Sequence, residues 1–226
     1  EANGWFKHHL PKHPPIADPY NPKADLDRRA RTYLQLNCTH CHRRGGGGTA
    51  VFETRLELPL AKTQLVNHAP TQGTLGIQDA MVIRSGDPHR STLYHRMARL
   101  GPGRMPRIGS NAIDTQGLKL MRDWISAMPA SGLEPVATAQ AANLKNFQAG
   151  KISELTPLLA KPENAALLAD ALEGEDPEQL NIRAARAEAN GKTDPNIRDL
   201  FRRYNPHQID ERLGATPDAA AILAIT

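Results

Sequence analysis

The sequence is poor in aromatic side chains and has no long apolar run. Trp, Tyr and Phe make up 4% of its 226 residues, whereas proline and glycine number 18 and 17, so much of the chain must be loop. No apolar stretch approaches the roughly 20 residues that are needed to span a bilayer. The formal net charge is only +4, and no basic run with interleaved aromatics is present. Nothing therefore indicates a nucleic-acid partner.

The length and the cysteine content bound the organisation of the chain. A chain of 226 residues suits one large domain or two small ones. The sequence opens at Glu1 without a signal peptide, so we expect a processed protein or an excised piece. Only two cysteines are present, Cys38 and Cys41, and they belong to one short motif.

That motif is Cys38-Thr39-His40-Cys41-His42, which reads CxxCH and is the attachment pattern of c-type haem. Two thiols three positions apart can each add to one vinyl group of a haem that lies against the same helical turn. The imidazole of the next residue then points at the iron. The pattern predicts one covalent haem c, with Cys38 and Cys41 as its thioether anchors and His42 as an iron ligand. Such a group also supplies apolar surface to a chain with few aromatics.

Two other uses of a CxxC pair remain open at this point. A structural zinc site needs four ligands, usually from two such pairs, and the chain has no second pair. A thioredoxin-like dithiol needs a neighbouring βαβ pattern, whereas here Arg43-Arg44 and four glycines, Gly45 to Gly48, follow the motif.

A second iron ligand is expected from the segment Gly101-Pro102-Gly103-Arg104-Met105-Pro106. Its glycines and prolines exclude regular backbone, and it presents one soft, polarizable sulfur. Met105 lies 63 positions after His42, which leaves enough chain to fold around a haem and return to its far face. Met105 is therefore the predicted distal ligand.

Other side chains are alternatives to Met105. Met97 lies on the preceding predicted helix, and either His68 or His95 would give a site with two histidines. The remaining methionines are expected to fill the core: Met81, Met121 and Met128.

Three helices are predicted within residues 25–130, which we expect to form one domain. The first covers 25–37, with Asp25 as its N-cap, and leads into Cys38. A short helix covers 91–100, and a third covers 114–128, with Asp114 as a possible N-cap. The third helix is expected to cross the first, with Trp124 and Ile125 against Tyr33 and Leu34.

The two ends of the chain differ from this domain. Residues 1–24 are rich in His and Pro and predict an extended arm, although His8, His9 and His13 would also suit a metal. Residues 138–226 predict a small helical unit of the HEAT kind, with helices at about 152–160, 163–173, 176–190 and 194–204 and another from about Pro217.

A longer series of short motifs follows CxxCH in a fixed order: Gly86-Asp87-Pro88, Ser91, Leu93, Arg96, Met105-Pro106 and Asp123-Trp124-Ile125. Together with CxxCH, this series resembles class I cytochrome c domains of large exported bacterial proteins, which are often fused to dehydrogenase or carbohydrate-active modules. The resemblance covers residues 25–128. The tail around 196–201 is similar to a helical spacer that precedes a second haem domain in such proteins, and no second CxxCH is present.

The resemblance implies an all-α chain with a class I cytochrome c fold. It implies an electron carrier rather than an enzyme, which passes electrons between a redox enzyme, or a fused dehydrogenase domain, and an acceptor. A haem held by His42 and Met105 would leave the iron no open position. Thioether maturation outside the cytoplasm makes a periplasmic or exported location the expectation. Arg96 is the expected partner of a haem propionate.

Two further hypotheses belong to other classes. A haem enzyme or sensor, with peroxidase-like or gas-binding behaviour, would require an open or displaceable distal ligand. Alternatively, residues 138–226 are an interaction module for which the haem part is a passenger. Six arginines lie between residues 84 and 107: Arg84, Arg90, Arg96, Arg99, Arg104 and Arg107. In the electron carrier, those that do not neutralise propionates would form a docking face for an acidic partner or a solvated basic surface.

Overall fold

A computed structural model describes residues 16–108, 112–176 and 178–204 of the chain, and these residues form helices and loops. The α-helices among them are α1 (Leu26–Asn37), α2 (Thr92–Ala98), α3 (Thr115–Ser126), α4 (Val136–Ala139), α5 (Ala141–Gln148), α6 (Leu155–Leu158), α7 (Pro162–Ala171), α8 (Leu180–Asn190) and α9 (Pro195–Phe201). Short 3-10 turns cover Leu60–Lys62, Pro88–Arg90, Ile152–Glu154 and Arg202–Tyr204. Over the same ranges, β-structure is limited to isolated bridges. The all-α prediction is confirmed.

The helices predicted before Cys38 and after the Met105 segment are present and begin at the predicted caps. The Asp25 side chain accepts a hydrogen bond from the backbone N–H of Arg28, and that of Asp114 accepts one from the N–H of Gly117. Each carboxylate thereby satisfies a backbone donor that the first helical turn leaves without a partner.

Helices α1 and α3 pack against each other through the predicted side chains. Tyr33, Leu34, Trp124 and Ile125 are all buried in one apolar cluster, and the Trp124 indole donates to Asp27 Oδ1 at 2.9 Å. Gly117 makes the close approach possible, because a Cβ at that position would lie 2.4 Å from the Tyr33 ring. This crossing fixes the carboxyl end of α1, where Cys38 follows.

The Gly86-Asp87-Pro88 motif forms the turn that introduces α2. Asp87 accepts hydrogen bonds from the N–H groups of His89 and Val136, and its own carbonyl accepts from Ser91 Oγ. Gly86 has φ +78°, and a Cβ there would lie 2.8 Å from Ala130 Cα. The motif therefore joins α2 to the segment that follows α3.

The C-terminal segment is helical as predicted, but its boundaries differ from the sequence-based ones. Pro162 occupies the first turn of α7, as expected. The helix expected over 152–160 is instead a 3-10 turn followed by the short α6. Helices α4 and α5 were missed, because no proline or glycine separates them and α5 buries only Phe147.

A buried carboxylate joins this C-terminal segment to the region around α2. Asp170, on α7, accepts hydrogen bonds from the Tyr94 hydroxyl at 2.7 Å and from Arg203 at 3.3 Å, and its Oδ2 lies 3.0 Å from His89 Nε2. Burial opposes ionisation of Asp170, but the hydrogen bond from His89 and the charges of His89, Arg203 and Arg122 outweigh it and lower the pKa to about 2.

A second buried carboxylate, Asp199 on α9, binds the chain just after α2. Arg99 donates to Asp199 Oδ2 at 3.0 Å, and the N–H of Leu100 donates to the Asp199 carbonyl at 3.1 Å. Apolar residues from both parts of the chain belong to one buried cluster. The division into units at 25–130 and 138–226 stays a prediction.

The described end of the expected N-terminal arm, residues 16–24, contains turns and contacts two helices. Tyr20 donates to Asp114 Oδ2 at 2.6 Å, and Arg29 Nε donates to the Pro19 carbonyl at 2.9 Å. Two predictions lie outside the described residues: the extended arm or metal site over residues 1–15, with His8, His9 and His13, and the helix from about Pro217. Among the described helices, none combines the length and apolar character that crossing a membrane requires.

Candidate functional site

A cavity of about 750 Å³ lies between the CxxCH segment, α2 and the Met105 loop. All five predicted site residues line it: Cys38, Cys41, His42, Arg96 and Met105. Its remaining wall includes apolar side chains that belong to widely separated segments: Phe52, Val82, Leu93, Met97 and Ile108. No acidic side chain lies among the described residues that line the cavity.

The CxxCH segment forms a turn that follows directly on α1. The N–H of Cys38 still donates to the Leu34 carbonyl, and the N–H groups of Cys41 and His42 both donate to the Cys38 carbonyl, at 3.1 and 2.8 Å. The last two bonds close a separate turn directly after the carboxyl end of α1. The crossing of α1 and α3 is therefore what sets the position of both cysteines and of His42.

The glycines after His42 permit a close backbone approach and do not form a linker. The N–H of Gly48 donates to the Cys41 carbonyl at 3.0 Å. A Cβ at Gly46 would lie 2.4 Å from that carbonyl oxygen, and one at Gly48 would lie 2.8 Å from it. Larger residues would displace the chain from the CxxCH turn.

The imidazole of His42 is held flat against Phe52, with ring centroids 4.4 Å apart and planes at 13°. Burial, together with the positive charges of His40 and Arg96, lowers the pKa of His42. The ring is therefore neutral at neutral pH, which is the form that binds a metal. Its Nδ1 is buried without a hydrogen-bond partner among the described residues.

Cys38 has the properties of an inert thiol in this structure. The two cysteines do not form a disulfide, and burial, followed by the neighbouring Cys41, raises the pKa of Cys38 to about 12. A redox-active CxxC pair has a lowered thiol pKa, so the environment of Cys38 is opposite to that of a dithiol catalyst. Across the described ranges, no three His, Cys, Asp or Glu side chains converge as a set of metal ligands.

The Met105 loop is bound to α2 by backbone and side-chain hydrogen bonds. The N–H of Met105 donates to the Arg96 carbonyl at 2.9 Å, and Arg96 Nη1 donates to the Gly103 carbonyl at 2.9 Å. Gly101 and Gly103 have φ values of +111° and +82°, which glycine adopts without strain. The loop thereby brings Met105 to the cavity wall.

The alternative ligands differ in their relation to the cavity. Met97 and His68 line it, and Met97 also packs in the buried apolar cluster. His95 is 1% exposed, and its Nε2 lies 2.8 Å from the His89 carbonyl. It does not line the cavity, and burial lowers its pKa to about 4. The hypothesis that His95 is a ligand is wrong, since its side chain is buried against the His89 carbonyl instead.

The hypothesis of one basic surface formed by six arginines is wrong for Arg84 and Arg99, which are 8% and 4% exposed. Arg84 donates to the carbonyls of Asp79 and Ser131, and Arg99 pairs with Asp199. Both cations are thus used to join distant segments. Arg84 meets Ser131 from 47 positions away and Arg99 meets Asp199 from 100, so the local charge pattern could not indicate either partner.

Phe52 is a site residue that sequence reasoning did not single out. It lies in the segment 51–58, which contains neither helix nor strand. A single aromatic residue outside a periodic pattern does not indicate which residues it will contact in the folded protein. Only the tertiary structure brings its ring against His42.

No protein-family model, curated protein or solved structure matches this chain. The ligand that the cavity would accept is therefore inferred from its own residues. Its volume falls within the range of about 300–1,000 Å³ that is usual for small-molecule and cofactor sites. Two thiols, three imidazoles, two thioether sulfurs, two arginines and no acid fit an apolar iron porphyrin with anionic substituents.

Proposed function

We propose that this chain is an electron-transfer protein of the class I cytochrome c kind, which carries one covalent haem c. The observation that supports it best is the convergence of both cysteines, His42 and Met105 on one cavity. Residues 25–130 would have the cytochrome c fold, and the C-terminal helices would form the HEAT-like unit. The chain would be an electron carrier rather than an enzyme.

Four side chains would hold the haem. Cys38 and Cys41 would form the thioether bonds, and His42 and Met105 would bind the iron. When bound, haem c supplies reversible one-electron chemistry at iron, and ligation by Met with His raises its reduction potential relative to other axial sets. With two protein ligands, no position remains for a substrate.

The other cavity residues would orient the group and exclude water from it. Phe52 holds the plane of the His42 ring, while the apolar side chains of Val82, Leu93 and Met97 line the interior. Arg96 contributes positive charge to a wall without acids, which favours anionic carboxylates in that region. These are the means by which a protein adjusts a haem: burial, axial ligands and local charge.

The partners would be a redox enzyme, or a dehydrogenase domain of the same protein, and an electron acceptor. A covalent haem c also indicates a periplasmic or exported location, because bacteria attach it outside the cytoplasm. The same resemblance that led to the cytochrome hypothesis supports both proposals.

The proposal is tested by producing the chain in a host that matures c-type cytochromes and measuring its mass and its spectra in both redox states. We expect the mass of polypeptide plus one haem, and a weak sulfur-to-iron band at the red end of the oxidised spectrum. A mass equal to bare polypeptide would contradict the proposal. A high-spin spectrum with rapid CO binding would instead indicate the haem enzyme or sensor.

A matched pair of variants identifies the sulfur ligand. Met105→Leu and Met97→Leu remove one thioether each at similar side-chain volume, and both residues line the cavity. We expect Met105→Leu to abolish the sulfur-to-iron band and Met97→Leu to retain it. The reverse result would assign Met97 as the ligand.

A further inference from the structure

Arg96 connects three parts of the cavity wall. From α2, its Nη1 donates to the Gly103 carbonyl at 2.9 Å and its Nη2 donates to the Gln72 carbonyl at 2.8 Å. Its own carbonyl accepts the N–H of Met105 at 2.9 Å. One residue thus binds both the Met105 loop and the loop that contains Gln72.

Apart from Arg96, the Met105 loop is also anchored by a hydrogen bond from the Arg104 side chain to the Ala112 carbonyl. Gly101 and Gly103 have positive φ values, and glycine loses more conformational freedom on folding than any other residue. Within the loop, the one backbone hydrogen bond among the described residues joins the Arg104 N–H to the Gly101 carbonyl at 3.3 Å. Anchors from outside the loop must therefore supply its order, and Arg96 supplies two of them.

The form of the Arg96 side chain suits this arrangement. A guanidinium is planar and presents its N–H donors in a rigid fork, whereas a lysine ammonium is a compact point charge on a flexible stem. Two carbonyls from different loops, each within 2.9 Å, require two donors at a fixed separation. The charge alone would not meet that requirement.

We propose that Arg96 is a positioning residue, whose guanidinium holds the Met105 loop in place so that the Met105 sulfur stays on the haem iron. This role rests on the proposed function and differs from the neutralisation of a propionate. Neutralisation requires only a positive charge at this position, whereas positioning requires the two guanidinium N–H donors at their fixed separation. A comparison of Arg96→Lys with Arg96→Gln separates the two.

The measurement is the affinity of the oxidised, haem-loaded protein for added imidazole, which replaces Met105 only when the sulfur leaves the iron. Loss of a charge-assisted hydrogen bond from the loop should favour the dissociated state, so that Arg96→Lys and Arg96→Gln both bind imidazole at least about tenfold more tightly. Both should also show a weaker sulfur-to-iron band and a lower reduction potential. Arg183→Gln, which removes an exposed positive charge on α8, is the control and should match the wild type.

A third variant protects the test against poor folding of the Arg96 variants. Gly103→Ala strains a residue at φ +82° and places a Cβ 3.4 Å from Arg96 Nη1, so it should also increase imidazole affinity. Far-UV circular dichroism verifies that each variant is folded.

Each outcome decides between the roles. Changes in Arg96→Gln alone, with Arg96→Lys like the wild type, would overturn positioning in favour of a charge effect. Wild-type imidazole affinity in both Arg96 variants would overturn it as well. If neither Arg96 variant folds, wild-type imidazole affinity in Gly103→Ala would overturn it. A wild type without haem, or with haem but no sulfur-to-iron band, would refute the proposed function itself and this role with it.

Discussion

Replacing Asp170 by Asn should destabilise the protein more than any other change in the contact between α7 and the region around α2. The carboxylate is 6% exposed, and it is bound by Tyr94, His89 and Arg203. The Arg203 side chain is itself only 6% exposed. Asn keeps the shape of the side chain but removes the negative charge that these donors surround.

The magnitude follows from what the substitution leaves behind. Arg203 would remain buried without its counter-charge, and breaking a buried pair in this way costs about 3–5 kcal/mol. Tyr94→Phe removes one hydrogen bond to the same carboxylate and should cost about 1.5–3 kcal/mol. Arg122→Gln removes a cation that is 25% exposed and 3.5 Å from Asp170, so it should cost about 1 kcal/mol or less.

The assay is equilibrium unfolding of the haem-loaded protein in urea at pH 7, followed by far-UV circular dichroism. The expected order of destabilisation is Asp170→Asn, then Tyr94→Phe, then Arg122→Gln. If Asp170→Asn lowers the free energy of unfolding by less than about 1 kcal/mol, the predicted cost of an unpaired buried charge is wrong. The buried guanidinium of Arg203 would then have found another partner or water. Equal effects of Asp170→Asn and Arg122→Gln would also refute the reasoning, because burial would not be the deciding factor.

Two other predictions concern acid stability and packing. The free energy of unfolding should fall between pH 6.5 and about 4, because His95 becomes protonated in the unfolded chain while its pKa in the folded protein is lowered to about 4. It should fall again between pH 4 and about 2, because Asp170 is protonated first in the unfolded chain and its pKa in the folded protein is lowered to about 2. Asp170→Asn should abolish the lower step, worth about 2 kcal/mol. It should also enlarge the upper step, because the Asp170 charge raises the pKa of His95; an unaltered acid profile would contradict this assignment. Gly117→Ala should destabilise by at least about 1 kcal/mol in thermal or urea unfolding, because the new Cβ would lie 2.4 Å from the buried Tyr33 ring and the overpacking exceeds the gain in helix propensity. Gly191→Ala, whose Cβ would meet only ordinary contacts, is its control, and equal stability of the two variants would show that the ring moves aside freely.

Local sequence signals predicted the parts of the fold that depend on neighbouring residues. Asp25 and Asp114 cap helices at the predicted positions, because an N-cap acts over three residues. Pro162 at the start of α7 follows the same logic. Helices α4 and α5 were missed, since they are short and their stability comes from packing of a few residues, such as Val136 and Phe147, and not from a periodic pattern.

The predicted site residues came from two motifs, and each motif reflects chemistry that needs a fixed local spacing. Cys38, Cys41 and His42 are three positions apart or adjacent, and Met105 lies in a segment marked by glycine and proline. That they share one cavity depends on contacts between distant segments. His95 shows the converse: its residue type made it a plausible ligand from the sequence, but contacts between distant segments bury it away from the cavity.

Sequence reasoning alone predicted an all-α chain, the caps of α1 and α3, and a set of residues whose chemistry suits haem attachment. Which charges are buried, and which segments they join, became apparent only from the packing of the folded chain. Arg99 meets Asp199 from 100 positions away, and Tyr94 meets Asp170 from 76. The reason is physical: caps and attachment spacings are set by bonds and hydrogen bonds within one or two turns, whereas a buried ion pair exists only once packing has removed both partners from water.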